Sequence, residues 1–233
     1  MLDNITLENF KGFQKLDNLK IKPITILCGV NSCGKTSILQ SILLLKQTLE
    51  SKNPNQTLLL NGRFVKLGYF KDLIYGKSEA NKLRIRIYLK ELTGKVLSFS
   101  AFANPELQFG MYHNGYGLFY DLTIDCTFNF TNDKYFIEKL SFGIHAYYSN
   151  SVDDYIQIEL IKKTDNVYLI KWAEIEIENK RFGETEANLQ FSNIFNVSLY
   201  LENIKDFKEK QKRKEELSNL IGAFSLLNDC LKD

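Results

Sequence analysis

Residues Gly29 to Thr36 read Gly-Val-Asn-Ser-Cys-Gly-Lys-Thr, and this octet constrains the chain more than any other stretch. It fits the phosphate-binding loop pattern GxxxxGK[ST]. The pattern has a physical basis. Successive backbone N–H groups point into one concavity, and the positive end of a following helix faces the same space. Glycine at Gly29 and Gly34 keeps side chains out of the turn and away from an anion. Lys35 then neutralises phosphate charge, and the Thr36 hydroxyl is placed to hold Mg²⁺. Val30, Asn31, Ser32 and Cys33 complete the cradle. The context agrees with the motif. An apolar run, Ile24-Thr25-Ile26-Leu27-Cys28, precedes it and predicts a strand. A strongly apolar stretch from Ser37 to Leu49 follows and predicts a mostly buried helix.

The rest of the chain divides by period. In residues 1–78, Ile5-Thr6-Leu7-Glu8-Asn9-Phe10 alternates and predicts a half-buried strand, and Lys11-Gly12-Phe13 a turn. Asn61-Gly62 between two apolar runs predicts a hairpin. Tyr69 to Gly76 predicts a short aromatic turn or helix. In residues 79–200 the period becomes two, as in Leu83-Arg84-Ile85-Arg86-Ile87-Tyr88-Leu89-Lys90. Further strand candidates are Leu122 to Phe130, Phe136 to Tyr148, Tyr155 to Ile161 and Val167 to Ile177. The expectation is an antiparallel meander of roughly five to eight strands. Residues 201–233 change again. Lysine and arginine mix with acidic residues from Glu202 to Glu216. Leu217, Leu220, Ile221, Phe224, Leu227 and Leu231 then recur at helical spacing.

Composition narrows the classes. The chain has 233 residues, 44% hydrophobic and 13% aromatic, enough for a sizeable core. A formal net charge of +2 gives no global electrostatic case for nucleic acid or membrane. No run approaches ~18 consecutive apolar residues. Cys28, Cys33, Cys126 and Cys230 show neither paired nor metal-like spacing, so a reduced, cytoplasmic protein is expected.

The opening Ile5-Thr6-Leu7-Glu8-Asn9-Phe10-Lys11-Gly12-Phe13, Asn31 within the loop, and the leucine-rich Ile38 to Gln47 resemble the N-terminal part of SMC/RecF-type ABC ATPases. That group includes OLD-family and many bacterial AAA-labelled defence ATPases. The segment from Leu60-Asn61-Gly62 through Leu67-Gly68-Tyr69-Phe70-Lys71-Asp72-Leu73 resembles the L-N-G…L-G-x-[FY]-x-D-L segment of a bacterial ABC-type ATPase subset. The resemblance covers about the first third of the chain. It implies an α/β fold: an ABC-type P-loop lobe with a large antiparallel β-rich insertion and a C-terminal helix. It further implies ATP and Mg²⁺ as ligands, and Lys11 as a phosphate contact beside the loop. Implied partners are a C-terminal half, a further copy or a nuclease-like effector, with DNA reached through the complex and no membrane contact.

The departures from that family matter equally. No Walker B strand ending in Asp-Glu, no Leu-Ser-Gly-Gly signature and no late switch histidine occur. Ile170-Lys171-Trp172-Ala173-Glu174 is interrupted by Lys171 and reads as a strand, and His113 and His145 read as structural. No catalytic residue is therefore assigned, and ATPase activity is expected only when a C-terminal half or partner completes the site. Two other readings stand beside this one. One is a degenerate nucleotide-binding module with a regulatory or interaction role. The other is a P-loop phosphotransferase, which would need an acceptor pocket and an arginine-rich lid.

Overall fold

The computed structural model describes residues 1–31, 33–51, 56–93, 118–131, 134–148, 151–176, 180–194 and 196–199. Its dominant element is one antiparallel sheet of nine strands. These are β1 (Leu2–Phe10), β2 (Phe13–Lys20), β3 (Leu83–Thr93), β4 (Leu118–Thr131), β5 (Lys134–Tyr148), β6 (Ser151–Lys162), β7 (Val167–Glu176), β8 (Lys180–Asn193) and β9 (Asn196–Leu199). The order is β2-β1-β3-β4-β5-β6-β7-β8-β9. From β3 onward the chain is a plain meander of seven strands, as the period-two patterning predicts.

The register shows why the alternation works. Leu7, Ile85, Cys126, Leu140, Leu160 and Ile170 stand opposite one another across six strands, and all are buried. One residue along, Thr6, Arg86, Asp125, Ser141, Glu159, Lys171 and Glu184 form a polar row on the other face. A shift by one residue would exchange these rows, so burial fixes the pairing. On the polar face Arg84 spans three strands. It donates to both oxygens of Asp125 (2.8 and 2.6 Å) and to Glu8 (2.7 Å).

One α-helix, α1 (Lys35–Leu49), occurs among the described residues. It buries Ile38, Ser41, Leu44, Leu45, Gln47 and Thr48. The segment after it wraps back against the sheet. Phe70 opens the 3₁₀ turn Phe70–Leu73 and stacks on Tyr135 of β5, with ring centroids 4.5 Å apart and planes inclined by 4°. The Tyr135 hydroxyl donates to Leu58 O at 3.0 Å. Asn61 and Lys66 form a single antiparallel bridge, and inside it Gly62 N–H donates to Val65 O at 2.9 Å, so the hairpin signal yields a one-bridge turn of four residues. The short helical turns Phe70–Leu73 and Tyr75–Lys77 lie where the aromatic turn is expected.

Two expectations change. The α/β lobe does not appear as such. The described residues contain antiparallel strand pairs only, and β1, from the loop-bearing segment, pairs directly with β3. The strand predicted over Ile24–Cys28 does not form either. That segment is chain without regular structure, and Ile24 and Ile26 are 85% and 79% exposed. A strand is stable only when neighbours satisfy its backbone and cover a face, and among the described residues no strand pairs with this one. His113, Cys230 and the helical stripe of 217–231 lie outside the described residues.

Candidate phosphate-binding site

The loop from Gly29 leads into α1 without a capping side chain. Gly34 is the N-cap, in the left-handed region at φ 94° and ψ 4°, and no side chain bonds the first N–H groups. No acidic residue occupies the first turn. Both features leave the positive end of the helix uncompensated, the condition under which an anion is favoured there.

The glycines are sterically required. A Cβ on Gly34 would lie 2.6 Å from Cζ of Phe13, and one on Gly29 would lie 3.0 Å from Cys33 Sγ. Phe13 starts β2, so the aromatic ring of the opening hairpin forms a floor under the loop.

Lys35 curls back over the loop. Its ammonium donates to Gly29 O at 2.7 Å and Val30 O at 2.6 Å, and lies 3.5 Å from Cys33 Sγ. Its charge therefore lies at the mouth of the loop, and among the described residues no carboxylate pairs with it. Thr36, the second helical residue, is exposed, as are Val30, Asn31 and Cys33. Ser32 lies outside the described residues. These groups fit a polyphosphate: a lysine whose amine is held by two carbonyls and a thiol and by no described carboxylate, and a cradle that a Cβ would fill. For Mg²⁺ the Thr36 hydroxyl is the one donor the motif supplies. No group of three or more His, Cys, Asp or Glu able to hold a metal occurs among the described residues. A hard cation here would take its remaining oxygens from phosphate and water, the usual arrangement for Mg²⁺.

Lys11 lies beside α1 but is engaged elsewhere. Its backbone takes the left-handed conformation (φ 51°), its N–H donates to Leu73 O at 2.6 Å, and its ammonium donates to Gln40 Oε1 at 2.7 Å. Burial pushes the ammonium below its ordinary value, and the charge of Asp72 opposes that. Gln40 is five residues into the helix from Lys35, about 7.5 Å along the axis. The structure thus joins Lys11 to the same end of α1 as the loop without placing it in the loop.

Sequence reasoning missed Phe13 and Gln47 as supports. Gln47 is 2% exposed and ties α1 to the segment after it. Its amide N–H₂ donates to Leu59 O, and its oxygen accepts from Phe64 N (3.2 Å) and Val65 N (3.0 Å). A glutamine in a leucine-rich helix was the available signal, since a polar side chain on a buried face needs partners. His145, read as structural, sits on β5 with its ring edge-on to Tyr155 at 6.0 Å. Glu174 lies in β7.

Residues 1–228 match a family model described as AAA ATPase domain. The chain belongs to that family, and a nucleotide-binding, ATPase-type function goes with the membership. No curated protein matches the chain. No described helix is long and apolar enough to cross a membrane.

Proposed function

We propose that this AAA ATPase domain protein binds Mg-ATP through Gly29–Thr36 as the N-terminal, nucleotide-holding part of an SMC/RecF-type ABC ATPase. The observation that carries the reading is the uncapped N-terminus of α1, with Lys35 folded over the loop and no carboxylate opposing it. Gly29, Val30, Asn31, Ser32, Cys33 and Gly34 would supply backbone N–H groups to the phosphates. Lys35 would leave its two carbonyl acceptors for the β- and γ-phosphates, and Thr36 would hold Mg²⁺. Lys11 would add a phosphate contact on release from Gln40. Bound Mg-ATP supplies a γ-phosphoryl group poised for transfer to water. The chain's residues would position it, but among the described residues no carboxylate pairs with Lys35 at the loop to orient that water, so we assign turnover to an assembly with a C-terminal half or partner. The setting we assign is a cytoplasmic DNA-repair or anti-phage system of bacteria, with a nuclease-like effector and DNA reached through the complex.

Calorimetric titration of Mg-ATP into the full chain tests this, with Lys35→Ala as control. The expected result is saturable binding that the mutant loses, with negligible phosphate release by either. No binding by the unaltered chain, or equal binding by Lys35→Ala, would remove the reading.

A further inference from the structure

The meander leaves one of its strands half covered. β8 pairs with β7 from Lys180 to Asn188, but β9 returns only over Leu189–Asn193. The Leu189 N–H turns toward the β7 side, donating to Asn166 O at 2.8 Å. Successive residues of an antiparallel strand aim their backbone groups at opposite neighbours, so those of Lys180, Phe182 and Glu184 face outward. Among the described residues nothing bonds them. The stretch runs without a register shift. Trp172 of β7 backs it on one face, its ring so close to Gly183 that a Cβ there would lie 2.4 Å from Cε2. The opposite face carries Phe182, 67% exposed and the one exposed large hydrophobic side chain in any described strand.

Outer strands are normally kept from pairing by charge or by irregularity. β2, at the other side of the sheet, has both. Lys15, Asp17 and Lys20 are exposed along it, Asn18 sits at φ 51°, and its register with β1 shifts. β8 is regular, and its charges are ordered by sign. Lys180 lies two positions before Phe182 and Glu184 two positions after, all on one face. Set antiparallel to itself, Lys180-x-Phe182-x-Glu184 is its own complement.

We infer that β8 docks on β8 of a second copy, antiparallel about a two-fold axis through Phe182, so that the two sheets join edge to edge. In this register Phe182 stands opposite Phe182 of the second copy, and Lys180 stands opposite Glu184 in both directions. All three positions aim N–H and C=O outward, so each can exchange both backbone bonds with its opposite number. The rings cover one another and unlike charges flank them, the cross-strand combinations that favour pairing. Each copy has a single open edge here, the other being held by β7, so one contact satisfies both. An axis at Glu184 would set that carboxylate against itself, and an axis between two residues would set outward groups against inward ones. The chain's own continuation is a poor occupant. Extending β9 past Leu199 in its own register would bring Lys208 opposite Lys180 and Glu202 opposite Glu186. Like charges directly opposite destabilise a strand pair. Glu184 lies 3.9 Å from the Lys171 ammonium with both side chains exposed, a contact loose enough to be shared. The pairing goes beyond the nucleotide reading and does not involve the phosphate loop.

Sedimentation of the full chain without nucleotide tests this. One strand per copy makes a small interface, so a reversible dimer with a dissociation constant of about 100 µM is expected. Lys180→Glu sets a second carboxylate against Glu184, and Glu184→Lys sets a second ammonium against Lys180. Each variant alone should therefore be monomeric at that concentration, and circular dichroism should show both folded, since the two positions are exposed. Mixed in equal amounts the two variants should dimerise again, because every restored charge pair needs one chain of each kind. A contact through another surface, or with a strand of a different protein, does not give that recovery. Hydrogen exchange adds a second readout. The amides of Phe182 and Glu184 should slow as chain concentration rises, while that of Gly183, turned to β7, is slow throughout. Four results would overturn the assignment: a strict monomer at about 1 mM chain, a dimer that survives both charge reversals, no recovery on mixing, or full protection of Phe182 and Glu184 at every concentration, which would give the edge to residues of the same chain. Failure of Mg-ATP to bind would count against the nucleotide reading and leave this result intact.

Discussion

The ring of Phe13 lies directly beneath Gly34, so close that a Cβ on the glycine would fall 2.6 Å from Phe13 Cζ. One hairpin residue and one helix cap, twenty-one positions apart, thus set the height of the loop floor. Gly34 also sits at φ 94°, where an L side chain is strained by ~1–3 kcal/mol whatever the space. Gly34→Ala is expected to lower Mg-ATP affinity about tenfold or more, equivalent to ~1.4 kcal/mol. Phe13→Leu in the same chain should recover only part of it, because the smaller ring site relieves contact but not φ. Calorimetry on the single and double variants measures both. Full recovery would mean that contact alone makes the glycine necessary.

Gln47 gives the opposite case, a buried polar group remote from the loop. Replacing it by leucine strands Leu59 O, Phe64 N and Val65 N, two of them amides bonded at 3.2 and 3.0 Å. Unsatisfied buried groups cost ~1–3 kcal/mol each, and water will reach some of these. Gln47→Leu should therefore destabilise the chain by about 2–4 kcal/mol in urea unfolding. The residue lies twelve positions from Lys35, about 18 Å along the helix, so nucleotide affinity at a temperature where the variant is folded should not change.

Much of this was readable in the residues, and what was not has a physical cause. The alternation of Leu83–Lys90 or Val167–Ile177 marks a pleated, half-buried strand with successive neighbours in sequence to pair with, and the meander follows from short turns such as Thr164–Asn166, closed by Lys163 N on Val167 O at 2.9 Å. The loop was legible because its glycines and lysine answer to local geometry. Ile24–Cys28 was not, because β-branched residues report a preference for a pleated surface, and the surface itself must come from other strands. The polar face was equally hidden. Arg84 and Arg86 look alike in sequence, but only the register shows that Arg84 bridges Glu8 and Asp125.

That bridge makes its own prediction. Arg84 uses a fork on Asp125 and a third nitrogen on Glu8, a geometry lysine cannot copy. Its side chain is 32% exposed, so solvent screens part of the gain. Arg84→Lys should cost about 1 kcal/mol, and the difference from the unaltered chain should shrink in high salt. Paired urea titrations at low and high ionic strength decide it. A salt-independent loss would point to packing of the arginine stem instead.

Asp72 carries a pH dependence. Its carboxylate accepts from Lys77 Nζ (3.0 Å) and from Tyr69 N (3.2 Å), and the lysine bond, then the amide, hold it below its ordinary value of 3.8. A depressed carboxylate stabilises the fold above its unfolded value and loses that contribution as pH falls through the folded one. The window thus starts near pH 3.8 and extends downward. Asp72→Asn should flatten this part of the acid unfolding curve and leave the curve above it parallel to the parent. An unchanged slope would show that other carboxylates carry the acid sensitivity.

The cysteines offer a chemical readout of the loop. Cys126 sits in the buried row of β4 at 2% exposure, and burial pushes its thiol well above the ordinary range, with Asp125 adding to the shift. Thiolate, not thiol, attacks alkylating agents, so Cys126 should stay unlabelled by iodoacetamide near neutral pH until the chain unfolds. Cys28 and Cys33 are exposed and should label in the folded chain. They differ in position. Cys33 Sγ lies 3.5 Å from the Lys35 ammonium, inside the cradle, and Cys28 precedes Gly29. Mg-ATP should therefore slow labelling of Cys33 severalfold more than that of Cys28, and Lys35→Ala should remove the difference. Peptide-level mass spectrometry reads each cysteine separately. Equal protection of both would mean that the nucleotide acts on the whole approach to the loop rather than by filling it.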